Sequence, residues 1–172
     1  MDKTKWEKQL KKYTDMLRDL GSDSQTVIDP ATVVTVPWAI YKCRYGCKKY
    51  GTSHICPPQS PTYKEMREIL DCYQVGILFR VHGEDVATGL AVPVARELFL
   101  DGYYKALAFG CGPCCRCATC AVESCRFPDQ VAPAMEACGV DVFATVRSNG
   151  YTIDTLRDPG ETGNFFGLLL VE

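Results

Sequence analysis

The chain has 172 residues, 47% of them hydrophobic and 23% charged, with a formal net charge of -2 and a pI of about 5.7. That composition suits one soluble globular domain with its own core, and it excludes a global basic field for nucleic acid or anionic lipid. No apolar stretch approaches the ~20 residues of a membrane span, and MDKTKWEKQLKKYTDMLRDL lacks the apolar core of a secretory signal, so a cytoplasmic protein without membrane or nucleic-acid partners is expected.

From Lys3 to Leu20 the apolar positions Trp6, Leu10, Tyr13, Leu17 and Leu20 recur at helical spacing, predicting one amphipathic N-terminal helix that Gly21 ends. SDSQTVIDPATV reads as a polar connection. VVTVPWAIY is β-branched and aromatic enough for a strand, with Pro37 forcing an edge, a bulge or an early end.

A first cysteine group follows in CRYGCKKYGTSHICPPQSP, where Cys43, Cys47 and Cys56 give C-x3-C-x8-C before Pro57 and Pro58. Three clustered thiols are one short of a closed tetrathiolate site. The fourth position falls to Cys111, Cys115, Cys125 or His54, or stays open, and an open position is what separates a catalytic metal from a structural or electron-carrying one. His54 reads better as a loop histidine than as a ligand.

Thr62 is placed to cap a helix from Tyr63 to about Cys72, with Glu65 completing a capping box. QVGILFRV is the clearest buried strand. EDVATGLAVPVARELFLDGYY reads as helical but carries Gly89 and Pro93, so a kink or two pieces are expected. YYKALAFG reads as a strand that delivers the chain into a second cysteine segment. VAPAMEAC suggests a short helix with Pro133 in its first turn, DVFATVRSNG another stopped by Asn149-Gly150, and FFGLLLVE a final strand. The fold expected is α/β, possibly α+β: about four strands flanked by helices, with both cysteine loops following strands.

The second segment holds six of the eleven cysteines: Cys111, Cys114, Cys115, Cys117, Cys120 and Cys125. Cys114, Cys117, Cys120 and Cys125 read C-x2-C-x2-C-x4-C with Pro128 beyond, close to the C-x2-C-x2-C-x3-C-P run of bacterial ferredoxins. In a reducing cytosol such density argues for metal or redox chemistry, and bridges within so short a segment would constrain the unfolded chain little. With only two histidines, His54 and His82, the ligand set is sulfur-dominated, which leaves iron-sulfur or zinc. Zinc ribbons usually separate their C-x2-C pairs by a dozen or more residues, whereas here the steps overlap, so a [4Fe-4S] cluster is favoured over Zn2+.

With both groups in view, the sequence resembles a prokaryotic family of predicted metal-binding proteins, domain of unknown function 2284. CRYGC, CPPQSP, FLDGYYKA, GPCCRCATC, CRFP, MEACGVDV and the FFGLLLVE ending carry the resemblance, from roughly Tyr41 to the end. It implies that Cys43, Cys47, Cys56, Cys114, Cys117, Cys120 and Cys125 are the family's cysteines and that Cys72, Cys111, Cys115 and Cys138 are less central. Where the family often has Arg-Pro-Ser before Met-Glu, this chain has Ala132, Pro133 and Ala134. The resemblance implies a metal and leaves the reaction open.

The remaining candidates divide between packing and function. Arg116 and Arg126 read as surface arginines that could balance thiolate charge. Gly110, Gly112 and Pro113 permit tight turns that aim N–H groups at cluster sulfurs. Cys72 and Cys138 read as buried small hydrophobes, and Tyr41, Tyr45, Tyr50, Tyr103 and Tyr104 as packing around the cysteine loops. Lys48 and Lys49 read as a solvated basic edge that could dock an acidic redox partner.

The leading functional reading is an iron-sulfur protein with one or two [4Fe-4S] clusters, exchanging electrons with a partner enzyme. No Rossmann or P-loop fingerprint accompanies it. The alternative is an enzyme whose three-cysteine cluster at Cys43, Cys47 and Cys56 offers an open iron as Lewis acid to a small-molecule substrate, in a lyase or desulfidase reaction, with His54, Glu65 and Tyr50 as candidate acids or bases. A zinc-binding structural or metal-handling module is the third.

Overall fold

The computed structural model describes residues 1–83, 86–158 and 160–172. Its centre is a four-stranded sheet in the order β1-β2-β4-β3, with β1 Ser24–Ile28, β2 Gly76–Val81, β3 Leu107–Phe109 and β4 Phe165–Leu170. Every neighbouring pair is antiparallel, with β2 and β4 in register from Gly76 opposite Leu170 to Val81 opposite Phe165. The mixed α/β expectation holds, and the sheet's direction puts the fold on its α+β side.

The central strands read as nearly unbroken apolar runs because both faces of the sheet are covered. Ile77, Phe79, Val81 and Leu169 point into one core, and Leu78, Phe166, Leu168 and Leu170 into the other. Period-two alternation therefore sorts residues between two buried cores instead of between core and water.

The first core is covered by α2 Lys11–Asp19, which contributes Tyr13 and Leu17, and by α5 Val86–Leu100. The expected single N-terminal helix is interrupted at Leu10, between α1 Lys3–Gln9 and α2. Of the kink or two pieces expected, the two pieces are not found: α5 runs unbroken along Val86–Leu100 with Pro93 inside; Glu84 and Asp85, which open the predicted helix, lie outside the described residues. An interior proline costs about 3 kcal/mol, whereas burial of Leu90, Val94 and Leu98 contributes about 1.5–3 kcal/mol each. Packing wins.

The second core is covered by α4 Tyr63–Asp71 and α6 Val142–Ser148. Thr62 and Glu65 form the expected capping box on α4, and Asp141 caps α6 through the Ala144 N–H. Two further expectations fail. SDSQTVIDPATV is not merely a connection, because it contains β1, whose half-buried Ser24, Gln25 and Thr26 disguise an edge strand. VAPAMEAC forms only a 3-10 turn at Glu136–Cys138, because Pro133 and Met135 exchange backbone hydrogen bonds with Gly110 instead.

The region before the first cysteines is the largest correction. VVTVPWAIY is not a strand: Pro37 opens helix α3, Pro37–Gly46, where its missing N–H is no loss. Only the preceding residues are extended, bridging Thr35 to Val140 and bonding Val36 N–H to the Gly139 carbonyl at 2.7 Å. The first cysteine group thus begins inside a helix, and only the second follows a strand. At Gly139 (φ 78) an added Cβ would lie 2.5 Å from Tyr63 Cβ, so the turn that anchors α3 requires glycine.

Candidate metal centre

The last turn of α3 presents Cys43, and Cys47 ends the helix with its N–H on the Cys43 carbonyl at 3.2 Å. The i, i+4 spacing puts both thiols on one side of the helix end. The chain then folds back through a loop closed by Gly51 N–H on the Pro57 carbonyl (2.9 Å), which brings in Cys56. Ser60 Oγ donates to the Ala137 carbonyl at 2.6 Å and ties this loop to the 3-10 turn.

Cys43, Cys47 and Cys56 line one cavity of about 450 Å³, together with Tyr50, Cys111 and Glu136. Of the candidates for the fourth position, the structure brings Cys111 to this cavity. Cys115 is exposed, and Cys125 and His54 belong to the other group. Burial pushes the Cys43 thiol up, reinforced by Cys47 and Cys56 beside it. Burial also raises Cys56, against the lowering effect of the Ser53 hydroxyl. A metal that bound these thiols as thiolates would displace their protons.

The second group stands next door. Cys114, Cys117, Cys120 and Cys125 surround a small cavity into which Ser53, His54 and Ile55 of the first loop also project. Cys56 in turn feels Cys114 and Cys120. The His54 N–H donates across the boundary to Cys120 Sγ and the Phe127 N–H to Cys125 Sγ, both at 3.4 Å, while within the first group Lys49 N–H donates to Cys47 Sγ at 3.4 Å. His54 Nδ1–H donates to the Val122 carbonyl oxygen at 2.7 Å, which holds the ring against the second loop. The sequence offered His54 to the first group; the fold gives it to the second.

The donor chemistry suits a soft metal or an iron-sulfur group. Four thiols share one space, backbone N–H groups already aim at two of their sulfurs, and the buried Ser53 Oγ lacks a hydrogen-bond partner of good geometry. Among the described residues no three His, Cys, Asp or Glu side chains are drawn together tightly enough to hold a metal ion as they stand. Residues 111–131 have no helix or strand to resist closing inward. Gly112 (φ 73) supplies a turn there that only glycine takes easily.

A model of the family "Predicted metal-binding protein (DUF2284)" matches residues 26–171. The chain belongs to that family. No curated protein and no solved structure matches it. Membership in DUF2284 gives a predicted metal-binding domain, in agreement with the cysteine spacing, and does not name the metal.

Other candidates fare unevenly. Tyr50 lines the first cavity, whereas Glu65 is occupied in the α4 capping box and is not among the residues lining that cavity. Cys138 is fully buried, as expected, with burial pushing its thiol up to about 12, but Cys72 is exposed at the end of α4. Tyr41, Tyr45 and Tyr104 are exposed instead of packed, Tyr41 lying 4.5 Å from Tyr45 between ring centroids on α3. Tyr103 packs edge-on against Tyr13. Arg116, Arg126, Lys48 and Lys49 are exposed. Among the described residues no helix is long and apolar enough to cross a membrane.

Sequence reasoning missed the far wall of the first cavity. Phe143, Asp154, Leu156 and Phe165 reach it from α6, the segment before β4, and β4 itself. Glu136 could have been suspected from its place in MEACGVDV; Asp154 and Leu156 carry no local signal.

Proposed function

We propose that the protein is an iron-sulfur protein with two neighbouring sites. Cys114, Cys117, Cys120 and Cys125 hold a [4Fe-4S] cluster that exchanges single electrons with a partner, and Cys43, Cys47 and Cys56 hold a second. The observation that carries this reading is that the four cysteines of the overlapping C-x2-C steps line one small cavity, with N–H groups donating to Cys120 and Cys125 sulfurs. Bound there, the group supplies one-electron chemistry at a potential set by burial and by hydrogen bonds to its sulfurs. The chain's part is to fix those bonds: His54 contributes its N–H while its ring, anchored on Val122, locks the two loops together. Exposed Lys48 and Lys49 offer a basic edge to an acidic redox partner.

A second reading is favoured by the cavity. If Cys111 stays off the metal, the Cys43, Cys47 and Cys56 site has an open position facing about 450 Å³ of space, as an enzyme's Lewis-acid site would. Cys111→Ala separates the two. Unchanged iron content and an unchanged cluster spectrum would support the open site; loss of one cluster would support full thiolate ligation.

The primary test is anaerobic purification with iron, zinc and acid-labile sulfide analysis beside the visible spectrum. About eight irons with matching sulfide are expected for two four-iron clusters. Stoichiometric zinc without sulfide, in a colourless protein, would overturn the iron reading and leave a zinc module.

A further inference from the structure

We propose that the cavity beside Cys43, Cys47 and Cys56 is a binding site for a small molecule with an apolar body and no negative charge. At about 450 Å³ it falls within the usual size range of small-molecule sites. Its far wall is apolar, built from Val142 and Phe143 on α6, Ile153 and Leu156 before β4, and Phe165 and Phe166 on β4. Cys43, Cys47, Cys56 and Cys111 also line the cavity, and Thr155 and Asn164 add uncharged polar groups.

Charge sets the class. Glu136 and Asp154 line the cavity, and among the described residues lining it there is no lysine, arginine or histidine. An anion entering would give up water to face two acidic side chains, with no basic side chain among the described lining residues. Carboxylates, phosphate esters and nucleotides are therefore disfavoured, and a neutral or cationic molecule with an apolar body fits.

The wall does not depend on a metal. Val142, Ile153 and Phe166 belong to the buried core against the sheet, so the apolar end is in place with or without occupancy of the cysteines. This inference and the iron-sulfur reading can therefore fail separately.

Three probes of similar shape test it: benzamide, benzoate and benzylamine, titrated by calorimetry or ligand-observed NMR into the full chain, both metal-loaded and metal-depleted. Benzamide should bind in both forms and benzoate at least about tenfold more weakly, as expected for a cavity with two acidic groups. Leu156 is 51% exposed at the cavity, so Leu156→Arg can be accommodated and should bring benzoate level with or ahead of benzamide. Phe143→Trp, which puts a larger ring on the cavity lining, should weaken all three probes. Benzoate binding as well as benzamide in the unsubstituted protein, an unchanged order in Leu156→Arg, or no binding of benzamide at millimolar concentration would each overturn the proposal. Benzamide binding to a chain that, purified anaerobically, carries stoichiometric zinc and no sulfide would uphold this site while removing the iron-sulfur reading.

Discussion

Gly110→Ala is the sharpest test of how the fold delivers the second cysteine segment. Gly110 sits between β3 and Cys111, with its N–H on the Pro133 carbonyl (2.9 Å) and its carbonyl accepting from Met135 N–H (3.2 Å). An added Cβ would fall 1.9 Å from Thr88 Oγ1, 2.8 Å from Thr88 Cβ and 2.9 Å from Thr88 Cα on α5. The hydroxyl can rotate away, but Cβ and Cα belong to the helix and cannot. Either α5 or the strand must move by several tenths of an ångström, and overpacking of this kind costs about 1–3 kcal/mol. The rigid part of the clash argues for the upper half, about 2–3 kcal/mol. For a chain of this size that lowers Tm by about 5–10 °C. Gly46→Ala is the matched control, since its Cβ meets nothing within 4 Å and lies in the last turn of α3. It should be neutral or stabilising by up to about 1 kcal/mol. Urea or thermal unfolding of both variants decides. A Gly110→Ala cost below about 0.5 kcal/mol would show that α5 and β3 do not approach as described, and the account of what anchors Cys111 would fall with it.

Three further outcomes follow from separate parts of the molecule. Cys117→Ser should remove about four irons and leave the other site's complement, as should Cys56→Ser in reverse; loss of all iron from either variant would contradict independent sites. Cys138 titrates at an ordinary 9.0 when unfolded and is pushed up to about 12 by burial, so the folded state holds its proton longer. Stability should therefore fall as pH rises from about 9 toward 12, by up to about 4 kcal/mol, and Cys138→Ala should flatten that part of the profile if the thiol is responsible. Thr62→Ala removes the α4 capping box and should cost about 1 kcal/mol, readable as a Tm drop of about 2–4 °C; no change would mean that the cap is not formed in solution.

What the sequence made legible was local chemistry with one strong pattern. The Thr62–Glu65 box, the Asn149-Gly150 stop and the apolar runs of β2 and β4 each specify their element within a few residues. The overlapping C-x2-C steps likewise marked one loop as a metal candidate without any tertiary information. What failed depended on partners far away. β1 looks polar because an edge strand buries only Val27 and Ile28 fully, and its partner β2 begins almost fifty residues later. The 33–41 run looks like a strand until Pro37 is read as a helix opener, and α3 is held in place by Gly139 and Val140 from the other end of the chain. The cavity wall at Phe143, Asp154 and Leu156 was invisible for the same reason: its residues share no motif, only a place beside β4.

The same long-range folding makes the two cysteine groups neighbours. His54 donates its N–H to Cys120 of the second group, while Cys56, two residues later, lines the first group's cavity. Two residues of extended chain span at most about 7 Å, so the two sites are neighbours whatever they hold. Their surroundings nevertheless differ. The second group surrounds a small cavity between two loops, and the first opens on apolar walls built by α6 and β4. Of the two, the first group's cavity, at about 450 Å³, is the one with space for another molecule. The segment Ser53–Cys56 is their common wall. His54→Ala keeps that backbone N–H but removes the ring's hydrogen bond to the Val122 carbonyl, so it should loosen the contact between the two loops and lower metal content at both sites; unchanged metal content would refute the shared wall.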